Sequence, residues 1–421
     1  MQYSKRKQME KNRVLVISIS SWNEKVGSNT WKELLSFLDD SKVGCITFRP
    51  GSPEKKYSKD YLIYDETKIV KSIFNKHIIP CYLFNDFPEL LSSSKFYKNK
   101  HRCVFLKRMA REIAWKLSNW RNKVLDDFIK GFNPTHIVYF MDGYIHANRL
   151  CRYAKRITSA KTIGYFVDDT FSFKQRNNVL FYLYRFFQRR SIKKLVKTTD
   201  EFWSINDKMK EEVKRIFKID STVVTKPMRK VDCLSCRNEI TFPLQIMYAG
   251  NLEIGRINSL LTLVQALREV NKNTLFFKLD VYSNYQGKKI PHDSFVSFHG
   301  PIKQEIVFEK YNRADILLFL ESNKHSFAKI ARLSFSTKIT DYLSYKKPIL
   351  AIGSKKCFPI MYLFENDATL YGNKKTDLIN ILMQVINDPH ILEPVAENAY
   401  RLGIKNHNQE FIKKEVRSFF N

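Results

Sequence analysis

LQIMYAGNLEIGRINSLLTLVQALREV, residues 244–270, contains the transition that decides the fold. LQIMYAGNL (244–252) opens as an apolar strand and runs into a turn at Gly250. From Ile257 to Val270 apolar residues recur at helical spacing. A strand, a glycine turn and a helix make half of a βαβ unit, the building block of parallel α/β sheets.

The same alternation extends outward. LFFKLDVYS (275–283), SFVSFHG (294–300), DILLFLE (315–321) and PILAIGS (348–354) read as strands. QEIVFEKYNRA (304–314), STKITDYLSY (336–345) and TDLINILMQVIND (376–388) read as helices. The tail, 392–420, is helical with an expected break near Gly403. Towards the N-terminus, RVLVISIS (13–20), VGCITFRP (43–50), HIVYFMDG (136–143), TIGYFVDD (162–169) and EFWSIN (201–206) are strand candidates. DKMKEEVKRIF (207–217) is an amphipathic helix, and STVVTKP (221–227) closes this half.

A chain of 421 residues exceeds one ordinary core. The expected division is an N-terminal Rossmann-like domain over 1–230, a polar linker over 231–243 and a C-terminal Rossmann-like domain over 244–400. A helical segment over 401–421 is a candidate to return to the first domain. Open α/β sheets bind ligands outside the carboxyl ends of their strands. Two such domains facing across a cleft suit the joining of two substrates.

Two stretches of the second half carry chemistry. In YAGNLEIGR (248–256) a loop leads from Gly250 to a helix, whose N-terminal N–H groups form a ready phosphate site. Arg256 can add a bidentate contact to a diphosphate. The alternative is a plain βα turn with a surface arginine. In FSTKITDYLSYKKPILAIGS (335–354), Ser336 or Thr337 can cap a short helix. Lys338 then lies in the first turn, where a cation opposes the helix dipole and implies an anionic partner. Asp341 shares its face. A lysine for phosphate beside an aspartate for ribose hydroxyls suits a nucleotide sugar, and an ordinary surface ion pair is the alternative.

The order YAG-loop-Arg, FHGPI (298–302), ADILLF (314–319) and STKITDYLSYKKPILA (336–351) resembles the C-terminal domain of GT-B fold, family-4-like glycosyltransferases. The resemblance covers about residues 244–355, and the N-terminal half in layout alone. It implies transfer of a sugar from a nucleotide-diphosphate donor, often with retention, in building bacterial surface polysaccharides. It implies no bound metal, because basic residues and helix ends stabilise the leaving diphosphate. The family's first loop reads G-R-x-x-x-x-K; here Gly250 is followed by Asn251 at the arginine place, and Arg256 takes the lysine place. The second acid of the family's E-x7-E, a ribose contact, matches Asp341, while the first falls on Leu333. Lys338 fits a subgroup with a lysine three residues before the acid and substitutes for the missing arginine.

By the same resemblance the N-terminal half holds the acceptor, with a loop at Gly27, Ser28 and Asn29 lying over the reacting centre. Asp168 and Asp169 close an apolar strand where relatives carry a His or Asp. Adjacent carboxylates there either orient an acceptor hydroxyl and steady an oxocarbenium-like transition state or serve as a cap or turn. Asp142 and His146 follow the strand HIVYF as further candidates.

Lysine and arginine total 72 against 42 acids, a formal net charge of +30. Such a field attracts anions, unless it reflects solvated lysine faces alone. KFYKNKHRCVFLKRMAREIAWKLSNWRNK (95–123) and KQRNNVLFYLYRFFQRRSIKKLVK (174–197) mix aromatics with bases, a composition suited to an anionic membrane surface. A lipid-linked acceptor would lie there; no recognised nucleic-acid module is present. The basic start lacks a signal-peptide h-region, and no stretch reaches the roughly 18 apolar residues of a span. The expectation is a cytoplasmic protein, peripheral on the membrane. The seven cysteines are dispersed, and Cys233 and Cys236 form a lone C-x-x-C with no second pair to complete a zinc site. Two rival readings stand: a nucleotide-sugar epimerase of GT-B fold, and a non-enzymatic basic protein binding membrane or nucleic acid.

Overall fold

The computed structural model describes residues 12–19, 30–38, 41–48, 60–83, 104–141, 143–176, 178–231, 241–287 and 290–420. Gly27, Ser28, Asn29, Asp142, Cys233 and Cys236 lie outside them. The chain forms two compact units. The first takes Met1–Phe173, Asn177–Val224 and Glu415–Asn421, and the second Lys174–Arg176 and Thr225–Lys414. The passage between them falls after Val224, earlier than residue 230, because Lys226, Met228 and Arg229 bond to residues of the second unit.

The first unit holds strands β1 (Arg13–Ser18), β2 (Lys42–Thr47), β3 (Asp60–Tyr64), β4 (Cys81–Leu83), β5 (His136–Phe140), β6 (Lys161–Phe166), β7 (Glu201–Ser204) and β8 (Thr222–Val223). Its sheet runs β4-β3-β2-β1-β5-β6-β7-β8. Every pairing is parallel except β3 with β4. The strands β3 and β4 escaped the sequence reading. DYLIY is set among polar residues, and β4 is three residues long. The helices are α1 (Thr30–Leu35), α2 (Glu66–Phe74), α3 (Val104–Leu117), α4 (Lys123–Phe132), α5 (Ile145–Ile157), α6 (Val179–Val196) and α7 (Asp207–Phe217). Asparagine caps start three of them: Asn122, Asn178 and Asn206 accept from backbone N–H groups of α4, α6 and α7.

The second unit holds β9 (Leu244–Ala249), α8 (Arg256–Val270), β10 (Phe277–Tyr282), β11 (Val296–His299), α9 (Gln304–Arg313), β12 (Ile316–Leu320), α10 (His325–Ala328), α11 (Thr337–Leu343), β13 (Ile349–Ile352), α12 (Phe358–Phe364), β14 (Leu370–Gly372), α13 (Lys375–Asn387), α14 (Leu392–Asn406) and the start of α15 (Gln409–Ser418), whose residues from Glu415 on belong to the first. The sheet is fully parallel in the order β11-β10-β9-β12-β13-β14. This is the doubly wound order, with its topological switch between β9 and β12. Ile246, Leu279, Leu318 and Leu350 from four strands share one core with Leu260, Leu263 and Leu267 of α8.

The tail differs from its expected pattern. Gly403 does not break the helix but lies inside α14. A Cβ there would stand 3.0 Å from Leu343 Cβ and 3.3 Å from Met228 Sδ, so glycine permits close packing. The break comes at His407, a buried residue. Its ring meets the Tyr362 hydroxyl at 2.9 Å and stacks on Phe335. The end of α15 packs in the first unit, where Arg417 Nε donates to the Phe37 carbonyl and Phe419 packs edge-on against Trp203.

Candidate functional site

The carboxyl edge of the second sheet gathers the sequence-predicted residues at the switch point. After β9, Gly250 adopts φ +150°, and a Cβ on it would collide with the Lys338 ammonium. Glycine is therefore required both for the turn and for the approach of Lys338. Tyr248 donates its hydroxyl to the Asn251 carbonyl at 2.8 Å, and Asn251 Oδ1 accepts the Glu253 N–H at 2.6 Å. Asn251 thus shapes the loop with its side chain. Ile254 and Gly255 follow with φ of 57° and 83°.

The expected free N–H groups at the start of α8 are not observed. The amides of Arg256, Ile257 and Asn258 donate to the carbonyls of Glu253, Leu252 and Gly255. The tight loop folds back on the helix and satisfies them, so the anion-attracting groups here are side chains.

Arg256 reaches across the switch point to Glu321, directly after β12. Its Nη2 donates to Oε1 at 2.8 Å and its Nε to Oε2 at 3.2 Å. Ser259 Oγ fixes the Glu321 carbonyl at 2.6 Å. Glu321 was missed in the sequence. The available signal was an acid ending the apolar run DILLFL at a carboxyl edge.

Lys338, in the first turn of α11, brings its ammonium over the Tyr248 ring at 4.7 Å. It makes no hydrogen bond or ion pair with any described residue, and the residue as a whole is half-buried. Burial foremost, and then the Arg256 charge, push its pKa from 10.5 down to about 7. Asp341 is buried and does not pair with Lys338. Its Oδ1 accepts from Lys226 Nζ at 2.6 Å, and Lys226 is itself fully buried. The ion pair at Asp341 therefore reaches back to the start of the second unit. Leu333, at the place of the family's first acid, lies in the core.

In the first unit Asp168 and Asp169 follow β6 as expected, but they diverge. Asp168 is exposed, whereas Asp169 is buried, accepting the Ser172 N–H at 2.9 Å and the Ser172 hydroxyl at 2.7 Å. This is the turn role for Asp169. His146 is buried too, stacked on Trp115 at 4.5 Å with Nδ1 3.0 Å from Glu112. Glu112 accepts the Ile145 and His146 N–H groups and so caps α5, whose own cap residue offers no side chain. Among the described residues no His, Cys, Asp or Glu group of three or more could hold a metal ion. Cys45, Cys81, Cys151 and Cys357 are buried free thiols, and burial pushes Cys45 up to about 12.

No protein-family model and no curated protein matches the chain. Solved structures do. HepE of Anabaena in complex with UDP matches with a TM-score of 0.64 at 11% identity, over 97% of this chain and 99% of that one. Sucrose-phosphate synthase of Thermosynechococcus elongatus matches with 0.58 at 12%, over 97% and 98%. A glycosyltransferase of Rickettsia africae matches with 0.56 at 14%, over 97% and 98%. With two doubly wound α/β units in tandem, the chain has the GT-B fold.

Proposed function

We propose that the protein is a glycosyltransferase that moves a sugar from a nucleotide-diphosphate donor to a glycan or lipid-linked acceptor in surface polysaccharide synthesis. The observation carrying this reading is the Lys338 ammonium, held at the switch point beside Gly250 and Arg256 with no ion-pair partner among the described residues. An enclosed cation of this kind awaits an anion. Uridine nucleotides are the first probes, since HepE is solved with UDP and with UDP-glucose.

In the reaction the bond between the anomeric carbon and the diphosphate oxygen breaks, and negative charge develops on the leaving group. Lys338 meets that charge where little water competes. Arg256 adds its charge from its place against Glu321, and the missing side chain at Gly250 lets the Lys338 ammonium come close. Asp341, oriented by Lys226, takes the ribose. The acceptor hydroxyl forms the new glycosidic bond and gives its proton to the leaving diphosphate oxygen. Asp168 lies nearest the acceptor in this reading, and Asp169 holds its loop through Ser172. The mechanism retains the anomeric configuration and needs no metal. The protein works peripherally on the inner face of the cell membrane.

The experiment is an assay of UDP release and sugar transfer from UDP-sugars, with EDTA present and absent, on wild type and Lys338→Ala. Acceptor-dependent transfer that survives EDTA and falls at least 100-fold in the variant supports the proposal. Donor consumption without acceptor, or equal rates in both proteins, contradicts it. The anomer of the product, read by NMR, tests retention.

A further inference from the structure

Helix α6 carries apolar side chains on its outer face as well as on its buried one. Its buried face carries Arg185, Gln188 and Ser191 along with apolar residues. Arg185 Nη1 donates to the Asp169 carbonyl and Gln188 Nε2 to the Gly143 carbonyl, so these polar groups hold the loops after β6 and β5. Its outer face runs Val179, Leu180, Leu183, Phe186 and Phe187, all exposed. Val179 is 81% exposed and Phe186 52%. An ordinary surface helix keeps its outer face polar.

The same character continues on the neighbouring helices. α3 packs between α2 and α6. Phe105 of α3 meets Phe181 of α6 at 5.8 Å, and Arg111 of α3 pairs with Glu66 of α2. On the solvent side α3 exposes Leu106, Ile113 and Leu117, and α2 exposes Val70 and Phe74, the latter 87% exposed. Exposed apolar side chains on three successively packed helices mark a site of contact.

The charges around it identify the contact. Past Phe187 the exposed face of α6 turns to Arg190, Lys193 and Lys194, with Lys197 just beyond its end, and α6 contains no acid. α3 exposes Lys107, Arg108 and Lys116, while its acid, Glu112, is buried. A second copy of the chain would bring the same positive charge against itself. Apolar side chains framed by bases that pair with no acid among the described residues fit a flat surface with an oily interior and anionic headgroups.

We infer that the α2–α3–α6 face of the first unit docks on an anionic lipid bilayer, with Phe74, Ile113, Leu183 and Phe186 entering the interface and the flanking lysines and arginines meeting lipid phosphates. This gives the proposed peripheral contact a defined surface and adds α2 to it. It does not depend on the donor reading, because docking needs no nucleotide.

The test is cosedimentation of the full chain with vesicles of phosphatidylcholine alone or phosphatidylcholine and phosphatidylglycerol in equal parts, without nucleotide. Binding to the mixed vesicles, at least about tenfold weaker to the neutral ones, is expected from several bases at the surface. Phe186→Ser with Phe187→Ser should weaken it about tenfold or more while leaving Tm unchanged, both side chains being exposed. Arg190→Glu with Lys193→Glu should do the same and reduce the salt dependence. Equal binding by wild type and the serine variant would overturn the inference. So would a wild type that ignores vesicles but forms dimers abolished by the same substitutions, which would make the face a contact between copies.

Discussion

The Arg256 guanidinium and the Glu321 carboxylate close on each other through two hydrogen bonds, at 2.8 and 3.2 Å, joining the start of α8 to the end of β12. The pair bridges the two strands at the switch point, so it braces the place where the donor diphosphate is proposed to sit. Removal of Glu321 leaves a largely enclosed guanidinium without its counter-ion. Glu321→Ala is expected to cost about 3 kcal/mol, read as a lowered midpoint in urea. A cost below about 1 kcal/mol would place the pair among solvent-screened contacts.

Gly250 and Lys338 cannot both keep their positions if a side chain is added at Gly250. Gly250→Ala should therefore displace the ammonium and weaken UDP binding about tenfold or more, measured by titration calorimetry. The residue also has φ +150°, so some loss of Tm accompanies the change.

The depressed pKa of Lys338 has two pH consequences of opposite sign. In the free protein the ammonium loses its proton as pH rises through about 7, whereas a bound anion holds that proton in place. UDP binding should thus take up protons above pH 7 and weaken by up to about tenfold per pH unit. For folding, the unfolded lysine stays charged to about 10.5, so the Lys338 contribution to stability rises between pH 7 and 10.5. Calorimetry at pH 8 in buffers of different ionisation heat checks the first point; Lys338→Ala should show no proton uptake.

Lys226 and Asp341 form a buried pair at 2.6 Å. Lys226→Met or Asp341→Leu alone should cost about 3–5 kcal/mol, since each leaves a partner without its match. The double variant Lys226→Met with Asp341→Leu should recover much of the loss, as a double-mutant cycle in urea would show.

The strands of the second sheet were legible because buried parallel strands are short apolar runs, and LQIMYA and ILLFL are little else. Lys338 and Gly250 could be picked out from local chemistry: a cation against a helix dipole, and a glycine ending a strand. What they touch could not. Glu321 stands 65 residues from Arg256 and Lys226 stands 115 from Asp341, and these pairings exist only once the strand order is set. The free amides expected at α8 vanished for a similar reason, as the positive φ of Ile254 and Gly255 turns the loop carbonyls onto them. In the tail Gly403 suggested a break by propensity, but tertiary packing against Leu343 and Met228 prevails over it.

The measurement that bears most directly on the central claim is the thermal shift of wild type and Lys338→Ala across a panel of nucleoside diphosphates and their sugars. A ligand at 100 times its Kd adds about 2.7 kcal/mol of stability. The expected result is a rise in Tm with uridine nucleotides, lost in Lys338→Ala while the ligand-free Tm is kept or raised. A wild type that responds to no nucleotide, or a variant that responds as fully as wild type, would contradict the assignment of Lys338 as the diphosphate-binding group.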